Sequence, residues 1–184
     1  MDRELVERAM ARDHDAFDEL ARISIGRLYV VARLILRDEA KAEDATQEAL
    51  VAAWSHIAGL RDPDRFDAWL HRLLVRSCYR EAGRSKRHTS IDVHVRVLEA
   101  SEPDMSLGLA DRDQIERGFR RLDTDQRAVL TLHYYLGLSL DEAAEVLGVP
   151  PGTVRSRLHR AIVAMRAALE ADARSRFLTE GRPT

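Results

Sequence analysis

The sequence predicts an all-α protein of two small helical domains joined by a flexible linker. Three observations carry that expectation. Apolar residues recur at helical spacing through most of the 184 residues, no stretch shows the sustained alternation rich in Val, Ile and Thr that strands need, and the helical pattern fails over one interval, residues 84–108. At roughly 25 residues that interval exceeds the ~12–15 of a structureless loop inside one compact domain, so it reads as a linker. The domains are then expected at 1–83 and 109–172, with 173–184 as a tail that frays from about Glu180.

The elements follow in order. Asp15 can cap a long core helix whose stripe is Phe17, Leu20, Ala21, Ser24, Leu28, Val31, Ala32 and Ile35, ending near Arg37-Asp38. A second helix is expected from about Glu39 to Ile57, where Ala42, Ala45, Ala49, Ala52 and Ala53 permit close approach of a neighbour. Gly59 and Pro63 break it. A third helix starts near Phe66, buries Phe66, Leu70, Leu73 and Ser77, and fades at Gly83-Arg84-Ser85-Lys86. Beyond the linker, helices are expected at about 109–122, 125–136, 140–147 and 152–171, and no repeat at a solenoid period is visible.

Composition narrows the function classes. One cysteine, Cys78, cannot form an internal disulfide, and no run approaches the ~18 apolar residues of a membrane helix. The N-terminus Met1-Asp2-Arg3-Glu4-Leu5-Val6-Glu7-Arg8 lacks a hydrophobic signal core, so a cytoplasmic location is expected. The net charge of -2 hides an uneven distribution: -4 over 1–60, +4 over 61–88, -3 over 89–110, -3 over 111–149 and +4 over 150–184. Two basic segments in an acidic chain suit a protein that touches a polyanion twice, although charge runs are more often solvated faces.

The most specific motif is C-terminal. Ser139-Leu140-Asp141-Glu142 has capping-box spacing, with Ser139 accepting from the Glu142 backbone and the Glu142 carboxylate returning to the Ser139 N–H. Ala144, Gly148 and Val154 then supply a small residue where helices cross, a turn residue tolerant of positive φ, and an apolar residue turning the next helix inward, which together define a helix-turn-helix. Pro150-Pro151 pre-sets the entry of the second helix. On that helix Val154, Leu158, Ala161 and Met165 share a narrow arc, Ser156, His159 and Arg160 lie opposite, and Thr153 and Arg155 sit at the edges. Outward Ser, His and Arg near a helix N-terminus suit base edges in the major groove; the bland alternative is a solvated basic helix closing a bundle. Arg157 flanks the apolar stripe and either pairs with Glu142 across the crossing or reaches a phosphate.

In the N-terminal half, Asp44, Gln47, Glu48 and Val51 share a helix face away from the Ala stripe, which is either a solvated acidic face or a docking surface. Arg72, Arg76, Tyr79 and Arg80 share a face of the third helix, with Arg61, Arg65, Arg84, Lys86 and Arg87 at its ends. Basic groups interleaved with Tyr79, near Phe66 and Trp69, suit backbone contact and base stacking on unpaired DNA. Trp69 ranks below the arginines there, because an aromatic residue at helical spacing is more often core.

These features together resemble a bacterial RNA polymerase sigma factor of the sigma-70 family, in the extracytoplasmic-function (ECF) group. The resemblance rests on Glu43-Asp44-Ala45-Thr46-Gln47-Glu48-Ala49, on Phe66-Asp67-Ala68-Trp69-Leu70, and on Leu138-Ser139-Leu140-Asp141-Glu142-Ala143-Ala144 running into Gly152-Thr153-Val154-Arg155-Ser156-Arg157-Leu158-His159-Arg160-Ala161, in the order of regions two and four. It implies that Asp44, Gln47, Glu48 and Val51 belong to the surface docking on the clamp helices of the largest subunit of core RNA polymerase. It implies that the loop Ala58 to Arg65 and the third helix capture the minus-ten element of promoter DNA through Arg61, Arg65, Trp69, Arg72, Arg76, Tyr79 and Arg80, one base being flipped into a pocket. The minus-thirty-five element would be read by Thr153, Arg155, Ser156, Arg157, His159 and Arg160, the linker would thread toward the polymerase cleft, and an anti-sigma factor is an expected partner.

Two departures accompany the resemblance. Arg76 and Arg80 stand where many members carry Asn and Asp, which unsettles any inherited base preference. Asp123 replaces the usual Pro in Leu122-Asp123-Thr124-Asp125, leaving Asp123 or Thr124 to cap the next helix. The competing class is a two-domain helix-turn-helix regulator acting without polymerase. No catalytic role, cofactor or metal is expected: the seven histidines lack ligand spacing, no Gly-rich phosphate loop or Ser-His-Asp grouping is present, and Cys78 with His88 and His94 is the only metal set worth naming.

Overall fold

The computed structural model describes residues 1–88 and 109–180, with side chains at 1–84 and 115–171. Eight α-helices, α1 Arg3–Met10, α2 His14–Leu36, α3 Glu39–His56, α4 Phe66–His88, α5 Leu109–Arg120, α6 Thr124–Leu130, α7 Leu140–Leu147 and α8 Pro151–Glu180, account for nearly all described residues, and no strand occurs among them. The expected all-α class is therefore correct.

The first unit packs α1, α2, α3 and α4. Asp13, not Asp15, caps α2, because its carboxylate accepts from Ala16 N at 3.1 Å; Asp15 instead places its charge in the first turn. The helix α1, unforeseen from the sequence, is capped by Asp2 and buries Val6 and Ala9 against its neighbours. On α3 the stripe Ala42, Ala45, Ala49 and Ala53 is fully buried, and the missing side-chain bulk lets this helix lie close to both α2 and α4. Leu20, Leu28, Val31, Ile35, Phe66, Leu70 and Leu74 fill the space between, each large side chain stabilising the unit by roughly 1.5–3 kcal/mol relative to exposure. Leu74 takes the deep position expected of Leu73, which is only partly buried.

The 3₁₀ turns Ile57–Gly59 and Pro63–Arg65 separate α3 from α4 at the predicted breaks. The helix α4 runs through Gly83 to His88, past the expected fading point, since an isolated helical glycine costs only ~1 kcal/mol. From residue 89 the expected linker lies outside the described residues, as do 181–184 of the expected tail.

In the second unit α5 and α6 both pack on α8. Asp123 is the residue that caps α6, in a capping box with Gln126 (2.7 and 3.0 Å), so the absent proline is replaced by a side-chain cap. A π-helical turn, Thr131–Tyr135, shortens α6 relative to the expected 125–136. The helix-turn-helix then forms as predicted: Ser139 caps α7, Gly148 ends it at φ 68°, and Val154 is fully buried on α8. The helix α8 continues to Glu180, beyond the expected 171.

Candidate nucleic-acid interface

The first helix of the helix-turn-helix, α7, is held by both halves of its capping box, Glu142 N to Ser139 Oγ at 3.2 Å and Ser139 N to Glu142 Oε2 at 2.8 Å. These bonds hold the Glu142 carboxyl below its ordinary range. Arg157 pairs not with Glu142 but with Asp125 at 3.0 Å, a correction to the sequence reading. Val154, Leu158 and Ala161 face inward, while Arg155, Ser156, His159 and Arg160 are exposed and Thr153 is half-buried. Arg155 approaches Asp141 at 3.9 Å, and Arg160 Nε donates to Ser156 O at 3.3 Å.

On α4 the candidate face divides into open and covered parts. Arg61, Arg65, Arg76 and Arg80 are exposed, and Arg72, Trp69 and Tyr79 are half-buried. Trp69 packs on Phe66 with ring centroids 5.9 Å apart and lines a surface cavity of about 220 Å³ with Leu60, Arg61, Arg65, Arg72 and Val146. It is thus both core-supported and reachable, so neither of its two sequence readings is complete alone.

The α3 face is less uniform than its spacing suggests. Asp44, Gln47 and Val51 are exposed, Val51 at 66%. Glu48 turns toward α4, where Oε1 pairs with Arg80 at 3.0 Å while Oε2 is buried without a hydrogen-bond partner. The departure residue Arg80 is therefore tied to the candidate docking face as well as to Ser77, at 3.1 Å.

Contacts between the two units were not foreseen. The apolar core is continuous across them. Arg127 of α6 donates from Nε to Ile35 O at 2.6 Å, satisfying a carbonyl of the last turn of α2, and from a second nitrogen to Leu122 O at 2.8 Å. Burial lowers the Arg127 pKa. Arg37, left-handed at the end of α2 (φ 58°), pairs with Glu116 of α5 and holds that carboxyl below its ordinary range. Arg65 pairs with Glu145 of α7, Arg72 Nε donates to Glu145 O at 2.9 Å, and α4 also meets α6. The Tyr79 hydroxyl is buried without a hydrogen-bond partner; burial first, and the neighbouring Asp125 carboxylate second, push its pKa up.

Among the described residues no group of three His, Cys, Asp or Glu side chains is placed to hold a metal ion. Cys78 is fully buried, its thiol pushed up to about 12 by burial; the His88 side chain and His94 lie outside what is described. No described helix is long and apolar enough to cross a membrane.

Two helical units, one ending in a helix-turn-helix and both carrying arginines outward, have the form of a nucleic-acid-binding protein. Residues 20–88 match the family model for Sigma-70 region 2, and residues 112–165 match that for Sigma-70, region 4. The ECF RNA polymerase sigma factor SigM of Mycobacterium tuberculosis is 33% identical over 162 residues, covering 87% of this chain and 80% of that protein. The RNA polymerase sigma-H factor of Pseudomonas aeruginosa is 32% identical over 181 residues, covering 92% and 94%. Among solved structures, the sigma factor RpoE of Bartonella quintana in complex with the anti-sigma factor NepR aligns at TM-score 0.67 and 26% identity, over 85% of this chain and 98% of that one. CnrH in complex with the cytosolic domain of CnrY aligns at TM-score 0.67 and 29% identity, over 93% and 98%.

The chain belongs to the sigma-70 family of RNA polymerase sigma factors. Within it the chain groups with the ECF members, which are transcription initiation factors rather than enzymes. This favours the sigma reading over a regulator that works without polymerase.

Proposed function

We propose that this chain binds core RNA polymerase in the cytoplasm, directs it to a two-part promoter and stabilises the first unpaired bases of the bubble, without catalysing a step itself. The observation that carries this is the presence, in one chain, of regions matching sigma regions 2 and 4, each with an arginine-bearing helix, α4 and α8.

In this reading Asp44, Gln47, Glu48 and Val51 on α3 meet the clamp helices of the largest polymerase subunit. An exposed Val51 flanked by acidic and amide groups suits an apolar contact ringed by polar ones. Arg61, Arg65, Arg72, Arg76 and Arg80 neutralise backbone phosphates at the minus-ten element, while Trp69 and Tyr79 offer rings to unstacked bases. Thr153, Arg155, Ser156, His159 and Arg160 read the minus-thirty-five element in the major groove, and Arg157, fixed by Asp125, orients α8 or reaches a phosphate. Specificity is the product of two modest readings joined by one enzyme, whose effective concentration counts only if the spacing lets both engage.

An anti-sigma partner covering these faces also belongs to this reading, supported by the solved relative bound to one. The test is run-off transcription with core polymerase on a randomised promoter library. Initiation at a defined two-part sequence is the expected result, and no enrichment over core polymerase alone would overturn the proposal.

A further inference from the structure

The loop between α3 and α4 is gripped by a helix that the family match leaves out. Sigma-70 region 2 aligns from residue 20, yet α1, at Arg3–Met10, packs on both 3₁₀ turns of that loop, Ile57–Gly59 and Pro63–Arg65. Val6 and Ala9 give α1 a fully buried apolar seam. A charged grip sits at each end of it. Arg3 Nη1 donates to Asp64 Oδ2 at 2.7 Å, and Arg12, just past the last turn, donates to Trp54 O at 2.9 Å and to Ser55 O at 3.3 Å.

The two carbonyls that Arg12 takes belong to the last turn of α3, where helical donors run out and the helix dipole favours a cation. The same guanidinium lies 5.6 Å from the centroid of the Trp54 ring, which the rings of His14 and Phe17 flank. Arg12 reaches this place from a left-handed backbone, φ 68°, a conformation that residues with a Cβ adopt at a cost. The exit of α3 is thus fixed by Arg12 and the entry to α4 by Arg3. Between and beside those grips, Leu60, Arg61, Asp62 and Arg65 line the cavity that holds Trp69, and no residue of α1 reaches it.

We infer that α1 is a brace that sets the pose of this loop for capture of an unstacked base, with Arg3 and Arg12 as positioning residues that act through Asp64 and the end of α3 and touch no DNA themselves. The inference rests on the proposed minus-ten role of the loop, but the bracing itself is measurable without DNA or polymerase. A loop ordered before binding loses less conformational entropy when it takes a base. On duplex DNA that capture must drive the unstacking; on a template already unpaired at the minus-ten element it need not.

Two variants of the full chain loosen the brace without removing a core side chain. Arg3→Glu sets like charges against each other at Asp64, and Arg12→Gly removes the guanidinium while a glycine relieves the left-handed backbone. The amides of Asp64 and Arg65 donate to Asp62 Oδ1 and Asp62 O. Their hydrogen exchange should be about five-fold faster in Arg3→Glu than in the parent, with the amides of Leu28 and Val31 in α2 unchanged. In run-off transcription with core polymerase, each variant should initiate about ten-fold less on the duplex promoter, yet within about two-fold of the parent on the same promoter pre-opened at the minus-ten element. Asp64→Arg alone should also impair the duplex reaction, although it adds a cation near the DNA face, and combining it with Arg3→Glu should restore both readouts. Equal losses on the two templates, unchanged loop exchange, a gain from Asp64→Arg alone, or no rescue by the charge swap would overturn the inference. Failure of the parent chain to direct initiation would instead strike the proposed function and leave the exchange result standing.

Discussion

Replacing Arg127 by Ala tests how firmly the two units are joined. In the folded chain its guanidinium bonds two carbonyls, Ile35 O at 2.6 Å and Leu122 O at 2.8 Å, with a longer contact to Thr124 Oγ1 at 3.4 Å. The first carbonyl ends α2 and the second closes the turn before α6, so neither has a helical partner to fall back on. Hydrogen bonds from a charged donor contribute about 1.5–3 kcal/mol each, and the two together are offset in part by the cost of burying the guanidinium, seen in its lowered pKa. The expected net loss is about 3 kcal/mol. With a urea m-value of about 2 kcal/mol/M this moves the unfolding midpoint by about 1.5 M, read by circular dichroism at unchanged m. Arg127→Lys should keep less than half of the stabilisation, since one ammonium cannot serve two carbonyls with the geometry of the fork. A loss below about 1 kcal/mol for the Ala variant, or full rescue by Lys, would refute the reasoning.

Ser139→Ala removes the side-chain cap of α7 and should lower stability by about 1 kcal/mol, visible as a depressed thermal midpoint of the second unit. His71 is buried at 7% exposure, with Nε2 unpartnered, and burial first depresses its pKa below the ordinary 6.5. The unfolded chain therefore takes up this proton more readily, so the contribution of neutral His71 is complete above about pH 6.5 and is lost as pH falls from there through the lower folded-state value. Thermal midpoints between pH 7.5 and 5.5 should fall more steeply for the parent chain than for His71→Leu, and parallel curves would contradict the assignment.

What the sequence made legible was local. The α7 cap, the Gly148 turn and the α3 boundaries depend on residues within four positions of one another, and they appear where spacing placed them. The Asp13 cap was displaced by two residues because Asp13 and Asp15 are chemically equivalent, and only the backbone geometry selects between them. The short α1 offers few apolar positions to a periodicity argument and is stabilised by packing. The joining contacts were illegible for a different reason. Arg37 meets Glu116, Arg65 meets Glu145 and Arg127 meets Ile35 across 79, 80 and 92 residues, and no periodicity links such positions. The partner of Arg157 is hidden for the same reason: Asp125 belongs to α6, another helix, and no spacing links the two. Helical spacing defines only the outward face of an isolated helix, and the covering of Arg72 and Tyr79 by the second unit is invisible to it.

In the proposed function, two helical surfaces of one chain read two promoter elements at once while polymerase carries both. The most direct measurement takes a promoter selected by the reconstituted enzyme and inserts five base pairs between its elements, turning one about half a helical turn from the other. Initiation in run-off transcription should collapse with the insertion while each element remains intact. Undiminished initiation from the altered template would contradict the account.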